Sequence, residues 1–308
     1  MKAMLRWLRS HPRHLINWLF LALSLSLLPA VWQPHPFVRA IDYVLPTTSE
    51  YPVNVTDIPA PSLSARSAIV VDVGSKTIMM AKSPDLELLP ASTTKIMTGL
   101  IALENYDLNQ VLTASVAAEG QVMKLKIGDQ LTVENLLYGM LVASGNDAAL
   151  VLADNYPGGQ SAFVAAMNQK VKALGLKDTQ FVNPTGLDEA GHYTSVHDLS
   201  LLAATAMVNP VFTKIVATPK ISVTDVTQEF VYELETINDL LGKVEGLVGV
   251  KTGWTEFAGE CLVTYVKRGD RAIITVVLGS FDRFSESKLL IDWAFTNFNW
   301  QAAAAAIR

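Results

Sequence analysis

Pro90-Ala91-Ser92-Thr93-Thr94-Lys95-Ile96-Met97-Thr98 is the stretch from which the rest of the chain is best read. A Pro-Ala pair precedes a hydroxyl residue, and Ile96, Leu100 and Leu103 follow at helical spacing. The pattern predicts a helix whose first turn carries Ser92 and Lys95. Residues three apart share a helix face, so the hydroxyl and the amine can meet. A serine beside a deprotonated lysine is an activated nucleophile, because the amine can take the hydroxyl proton during attack. Unpaired N–H groups at the helix start supply partial positive charge where an oxyanion would form. The same spacing recurs at Ser285-Glu286-Ser287-Lys288, which reads as an exposed helix start. What separates the two must come from the rest of the chain.

The chain has 308 residues, 50% hydrophobic and 17% charged, enough for one large catalytic domain or two modest ones. A net charge of -5 with no long basic run argues against a nucleic-acid partner. The lone cysteine, Cys261, excludes an intramolecular disulfide and a cysteine-cluster zinc site. Lys2, Arg6, Arg9 and Arg13 precede an apolar run from Leu15 to Trp32, the layout of an export signal. Residues 1–32 are therefore expected to be a signal peptide, cleaved near Val38-x-Ala40, or a retained N-terminal membrane anchor through residues 15–32. Either puts the remainder outside the cytoplasm.

Six prolines between Trp32 and Leu63 make residues 33–63 an expected extended linker. The folded domain is expected over 64–300, with an alanine-rich tail at 301–308. Residues 67–73 and 77–80 read as a hairpin turning at Gly74-Ser75. A helical middle follows. One helix opens at Thr132-Val133-Glu134 and stops near Ala143, Asp147 caps another, and Ser161 starts a third that ends at the C-cap glycine Gly175. Ser195-x-x-Asp198 reads as a capping box for the next. Residues 247–251, 261–267 and 272–278 are strands, and a closing helix is expected from Glu286 to Phe298. Strands at both ends with helices between predict an α+β fold, an antiparallel sheet assembled from both ends of the domain with an inserted helical lobe.

Three short motifs carry the chemistry. Lys251-Thr252-Gly253 closes a strand. Its lysine is a second cation beside Lys95, and two ammonium groups in one pocket push one of them toward the neutral form a base needs. Thr252 offers a hydroxyl for a substrate carboxylate, and Gly253 lets a ligand backbone approach closely. In Ser144-Gly145-Asn146, Ser144 can relay a proton and the Asn146 amide can hold a substrate carbonyl. The backbone N–H groups of Ser92 and Trp254 form the expected oxyanion pair.

With Ser92-x-x-Lys95, Ser144-Gly145-Asn146 and Lys251-Thr252-Gly253 in this order, the chain resembles the penicillin-binding D-Ala-D-Ala carboxypeptidases and their serine β-lactamase relatives. PASTTKIM at 90–97, ASGNDA at 143–148, FVNPTGLD at 181–188 and GVKTGWT at 249–255 resemble signatures of that family. The resemblance covers roughly residues 64–300. It implies Ser92 as acylated nucleophile, Lys95 as its base, and Ser144 with Lys251 passing a proton to the leaving D-alanine. Asn146 would orient the acyl group, while Thr252 and Arg283, in a short segment before the closing helix, would hold the substrate carboxylate. The implied partners are peptidoglycan stem peptides ending in D-Ala-D-Ala, with β-lactams as covalent inhibitors and no metal or other cofactor. Many family members continue into a second β-rich domain, so membrane attachment is expected here from residues 15–32. Trp254 stands where relatives vary. A D,D-endopeptidase, a β-lactamase and a non-catalytic wall-binding protein stay open as alternatives. His192, Ser195, His197 and Asp198 lie too close in sequence for a triad, and the capping reading of Ser195 prevails. His192 and His197 lack a third metal ligand of usual spacing. Asp188 and Glu189 belong to the Thr-Gly-Leu-Asp loop rather than to a deacylating glutamate.

Overall fold

The computed structural model describes residues 50–115 and 117–302. The expected signal or anchor segment, the first part of the expected linker and the alanine-rich tail from 303 lie outside the described residues. The centre is a five-stranded antiparallel sheet of β2 (Ser67–Asp72), β3 (Ile78–Lys82), β8 (Leu247–Thr255), β9 (Gly259–Arg268) and β10 (Arg271–Ser280). Its order is β3-β2-β10-β9-β8, so the two ends of the domain meet where β2 pairs with β10, as the α+β expectation requires. The strands alternate with period two. Ile69, Val263, Ile274 and Val276 face a core shared with the helices, while Val70, Leu262, Ile273 and Val277 face a second core on the other side.

The first core holds the helical lobe: α1 (Lys95–Asn105), α2 (Val133–Leu141), α3 (Asn146–Asp154), α4 (Gly159–Leu174), α5 (Val196–Ala206) and α6 (Pro210–Val216). Caps set several of their ends. Thr132 accepts from the Asn135 N–H, Ser195 from Asp198, and Asn209 from Val211 and Phe212, with Pro210 in the first turn of α6. Gly175 ends α4 in the left-handed conformation. The second core is covered by α7 (Arg283–Asn297), through Leu290, Ile291, Trp293 and Ala294. Burying each such side chain contributes about 1.5–3 kcal/mol.

Several boundaries differ from the sequence reading. Tyr51–Asn54 is a strand, β1, paired with β11 (Phe298–Gln301), so the expected linker joins the folded domain about a dozen residues early and the tail starts later than 301. Alternation there is masked by prolines, which edge strands tolerate. α7 starts at Arg283, capped by Asp282 rather than opening at Glu286. Arg283 therefore sits inside the helix instead of before it. Gly145, not Asp147, occupies the N-cap of α3. Ser195 closes only half of a capping box, because the Asp198 carboxylate accepts from the Asp178 N–H and the Thr179 hydroxyl instead. Two hairpins escaped the pattern, β4 (Val111–Thr113) with β5 (Gln130–Thr132) and β6 (Lys220–Thr224) with β7 (Val231–Glu235). Strands of three to five residues carry too few alternations to be read.

Candidate active site

Ser92 lies on a 3-10 turn, Ala91–Thr94, that runs directly into α1. No side chain caps either segment. Thr93 binds the Pro90 carbonyl through its hydroxyl and its N–H, which tightens the turn. Lys95 opens α1 and is completely buried. Its Nζ lies 2.8 Å from Ser92 Oγ, 2.7 Å from Asn146 Oδ1 and 2.6 Å from the Thr185 carbonyl oxygen. Two of these neighbours are carbonyl oxygens, which can only accept and so claim two N–H groups. The third position faces the Ser92 hydroxyl, which can donate to a lone pair when the amine is neutral. Burial lowers the Lys95 pKa well below that of a free lysine, and Lys251 lowers it further, with Asp147 opposing both. A neutral amine aimed at a hydroxyl is a general base in place.

Ser144 sits in the break between α2 and α3 with φ of 62°, a left-handed conformation that serine seldom takes. The Gly145 N–H donates back to the Gly139 carbonyl, which fixes the turn. Asn146 is the first residue of α3, and its Nδ2 donates to the Glu119 carbonyl at 2.6 Å. Lys251 comes from β8 and is also buried; its Nζ donates to Ser144 Oγ at 2.8 Å and to the Thr252 carbonyl at 3.0 Å. Burial, then the Arg283 guanidinium, lowers its pKa to about 7. Lys251 helps to depress Lys95, as the spacing of two cations in one pocket predicts, and the Arg283 guanidinium stands as a further cation acting on Lys251.

β8 presses on the nucleophile turn. A Cβ on Gly253 would stand 3.1 Å from Ala91 Cβ, the Pro90 oxygen and the Ser92 nitrogen, so only glycine permits the approach without displacement. Arg283 Nη1 donates to the Gly253 carbonyl at 2.7 Å. In a trans peptide the following N–H points the opposite way, so the Trp254 N–H is directed away from the guanidinium. Thr252 Oγ1 and Arg283 Nε are buried without a hydrogen-bond partner among the described residues. Both line the same cavity and can receive an anionic ligand group. That cavity, about 700 Å³, is also lined by Ser92, Ser144, Asn146 and Gly253. The structure thus brings together all the residues singled out from the sequence.

Sequence reasoning missed the supports. The Thr185 carbonyl that holds Lys95 belongs to a turn built by Asn183, whose Oδ1 accepts from the Thr185 and Gly186 N–H groups. Gly186 has φ of 87°, and a Cβ there would fall 1.9 Å from the Ala91 oxygen. An Asn-Pro-Thr-Gly run signals a turn, but nothing local says that it seats on Ala91. The Thr255 hydroxyl donates to Asp188 at 2.7 Å, tying this loop to the end of β8. His192 is buried; its Nδ1 accepts from the Val182 N–H and its Nε2 donates to Thr94 Oγ1 at 2.8 Å. Burial lowers its pKa to about 4, so it is a neutral strut behind the nucleophile turn. Among the described residues no group of three or more metal-ligating side chains occurs.

A hydroxyl beside a buried lysine amine, with a second lysine–serine pair close by, is an arrangement that suits serine acyl transfer. The family model described as D-alanyl-D-alanine carboxypeptidase matches residues 54–282. D-alanyl-D-alanine carboxypeptidase DacF of Bacillus subtilis is 35% identical over 76% of this chain, which spans 63% of that protein's length. DacB2 of Mycobacterium tuberculosis, named for the same activity, is 34% identical over 81% of this chain and 88% of its own. The crystal structure of the Streptomyces K15 DD-transpeptidase superposes with a TM-score of 0.73 at 31% identity, covering 78% of this chain and all of that one. The chain belongs to the D-alanyl-D-alanine carboxypeptidase family.

Proposed function

We propose that this protein is a serine-type D-Ala-D-Ala carboxypeptidase, acting outside the cytoplasm on peptidoglycan stem peptides and acylated by β-lactams. The observation that carries this reading is the fully buried Lys95 amine 2.8 Å from Ser92 Oγ, beneath a cavity lined by Ser92 and by Ser144, to which Lys251 Nζ donates. Lys95 takes the Ser92 proton as Oγ attacks the carbonyl of the penultimate D-alanine. The N–H groups of Ser92 and Trp254 stabilise the resulting oxyanion. Lys251, through Ser144, delivers a proton to the departing D-alanine nitrogen, and the carbon–nitrogen bond breaks. Asn146 orients the acyl side, while Thr252 and Arg283 hold the terminal carboxylate. Water then hydrolyses the ester. Residues 1–32 deliver or anchor the domain, with attachment through 15–32.

Intact mass of the soluble domain with excess benzylpenicillin tests this. A long-lived adduct that maps to Ser92, absent in Ser92→Ala, is the expected result. Labelling of folded Ser92→Ala would remove the nucleophile assignment, and an adduct lost within seconds would make the protein a β-lactamase. A second reading has support from relatives named D-alanyl-D-alanine endopeptidase, one from Pseudomonas aeruginosa at 32% identity over 79% of this chain. Release of free D-alanine from a pentapeptide, against cleavage of a cross-linked dimer, separates the two.

A further inference from the structure

We propose that Asp147 is a positioning residue whose buried carboxylate clamps residues 119–125, the wall that holds Asn146 in its working pose. The inference rests on the acyl-transfer reading of the site and adds a residue to it. Asp147 is 3% exposed, although it lies one residue from the groove, and no ion pair among the described residues involves it. Its Oδ1 accepts from the Met123 N–H at 3.0 Å and from Ala148 at 2.9 Å, and Oδ2 accepts from Leu125 at 2.9 Å. Both oxygens are thus committed to backbone amides, two of them on a segment with no helix or strand of its own.

The return contacts run through Asn146. Its backbone N–H donates to the Gln121 carbonyl at 2.7 Å and its Nδ2 to the Glu119 carbonyl at 2.6 Å. Four hydrogen bonds, two in each direction, therefore join Asn146-Asp147 to this segment. The Nδ2 bond fixes which end of the amide faces Lys95, leaving Oδ1 to accept from Nζ at 2.7 Å. Glu119, Gly120 and Gln121 line the catalytic cavity. Met123 adds an apolar pin, since its Sδ stands only 2.2 Å from where a Cβ on Gly139 would be. A clamp of buried charge to backbone N–H contributes more per bond than a neutral one. The carboxylate also raises the proton affinity of Lys95 against burial and Lys251, so it meets the base electrostatically as well as through Asn146.

Asp147→Asn tests the clamp. The amide keeps one acceptor but presents N–H₂ to the amide of Leu125. We expect benzylpenicillin acylation of Ser92 to slow about 10- to 100-fold, the range for misplaced catalytic groups. Hydrogen exchange should quicken over residues 119–125, with the sheet unchanged. Leu125→Pro, which removes one donor and leaves the carboxylate, should reproduce the exchange change and part of the slowing; it serves if Asp147→Asn does not fold. Wild-type acylation with either folded variant within about twofold of it would overturn the clamp and leave the acyl-transfer reading intact. So would a loss of acylation that follows only the unfolded fraction, or protection lost evenly across the domain. Failure of the wild type to acylate would instead strike the reading on which the clamp rests.

Discussion

Ser92-x-x-Lys95 and Ser285-x-x-Lys288 have the same spacing, each at the start of a helix, and opposite surroundings. Lys288 is exposed on α7, where it pairs with Asp292 one turn on, at 2.5 Å. Ser285 is exposed as well, and its N–H donates to the Asp282 cap. Lys95 is sealed beneath a β-strand, a left-handed glycine turn and a second lysine, with three polar atoms around its nitrogen. Spacing brings a hydroxyl within reach of an amine in both places. Only desolvation and a neighbouring cation turn one amine into a base, since an exposed ammonium keeps its proton at neutral pH.

The contrast breaks most sharply by substitution at the two lysines. Lys95→Ala should reduce the rate of β-lactam acylation by about 10³- to 10⁴-fold, near the upper range for losing a general base. Lys288→Ala should leave it within twofold. Stopped-flow or mass-resolved acylation measures both, and comparable losses would dissolve the distinction.

The wall over Lys95 provides the next test. Gly186→Ala places a methyl against the Ala91 carbonyl in a backbone conformation that L-residues avoid. Destabilisation of about 3 kcal/mol or more in urea unfolding is expected. Full stability would mean that the loop is free to move away from the nucleophile turn.

His192, in the same wall, makes the domain acid-sensitive. Its folded pKa of about 4 lies below the ordinary value of 6.5. Between those limits the unfolded chain binds more protons, so stability falls on acidification from about pH 6.5 to about pH 4 and levels off below. The full loss is about 3 kcal/mol at about 1.4 kcal/mol per tenfold proton affinity. His192→Asn should flatten that segment of the stability profile, and an unchanged slope would assign the acid loss to other groups.

Lys251 sharpens the comparison from the cationic side. With a pKa of about 7 it loses its relayed proton as the pH rises through neutrality. kcat/KM should therefore show an alkaline limb near pH 7. Lys251→Arg stays charged and should lift that limb by more than one pH unit, at reduced maximal rate. An unmoved limb would point to another donor.

Much of this was legible locally. Ser92, Lys95, Ser144, Asn146, Lys251 and Thr252 were each marked by motif, because nucleophiles, relays and strand-end glycines demand particular residue types at fixed short spacing, while Arg283 was marked only by the family resemblance. The supports were not. Thr185 contributes only a carbonyl oxygen, which every residue has, and Glu119 does the same for Asn146. Asp147 read as a helix cap because a carboxylate near a helix start usually is one; besides the neighbouring Ala148 N–H, its partners lie more than twenty residues away. β1 was hidden among prolines, and its pairing partner is at the far end of the chain.

The sequence by itself determined the α+β order of the main elements and the identity of most of the groups in the groove. Those follow from periodicity and side-chain chemistry, which are local. Tertiary structure alone decided which Ser-x-x-Lys is buried, which cation stands beside Lys251 and which backbone carbonyls orient Lys95 and Asn146. These depend on desolvation and on contacts between segments remote in the chain. No local pattern of residues encodes the water a site will lose.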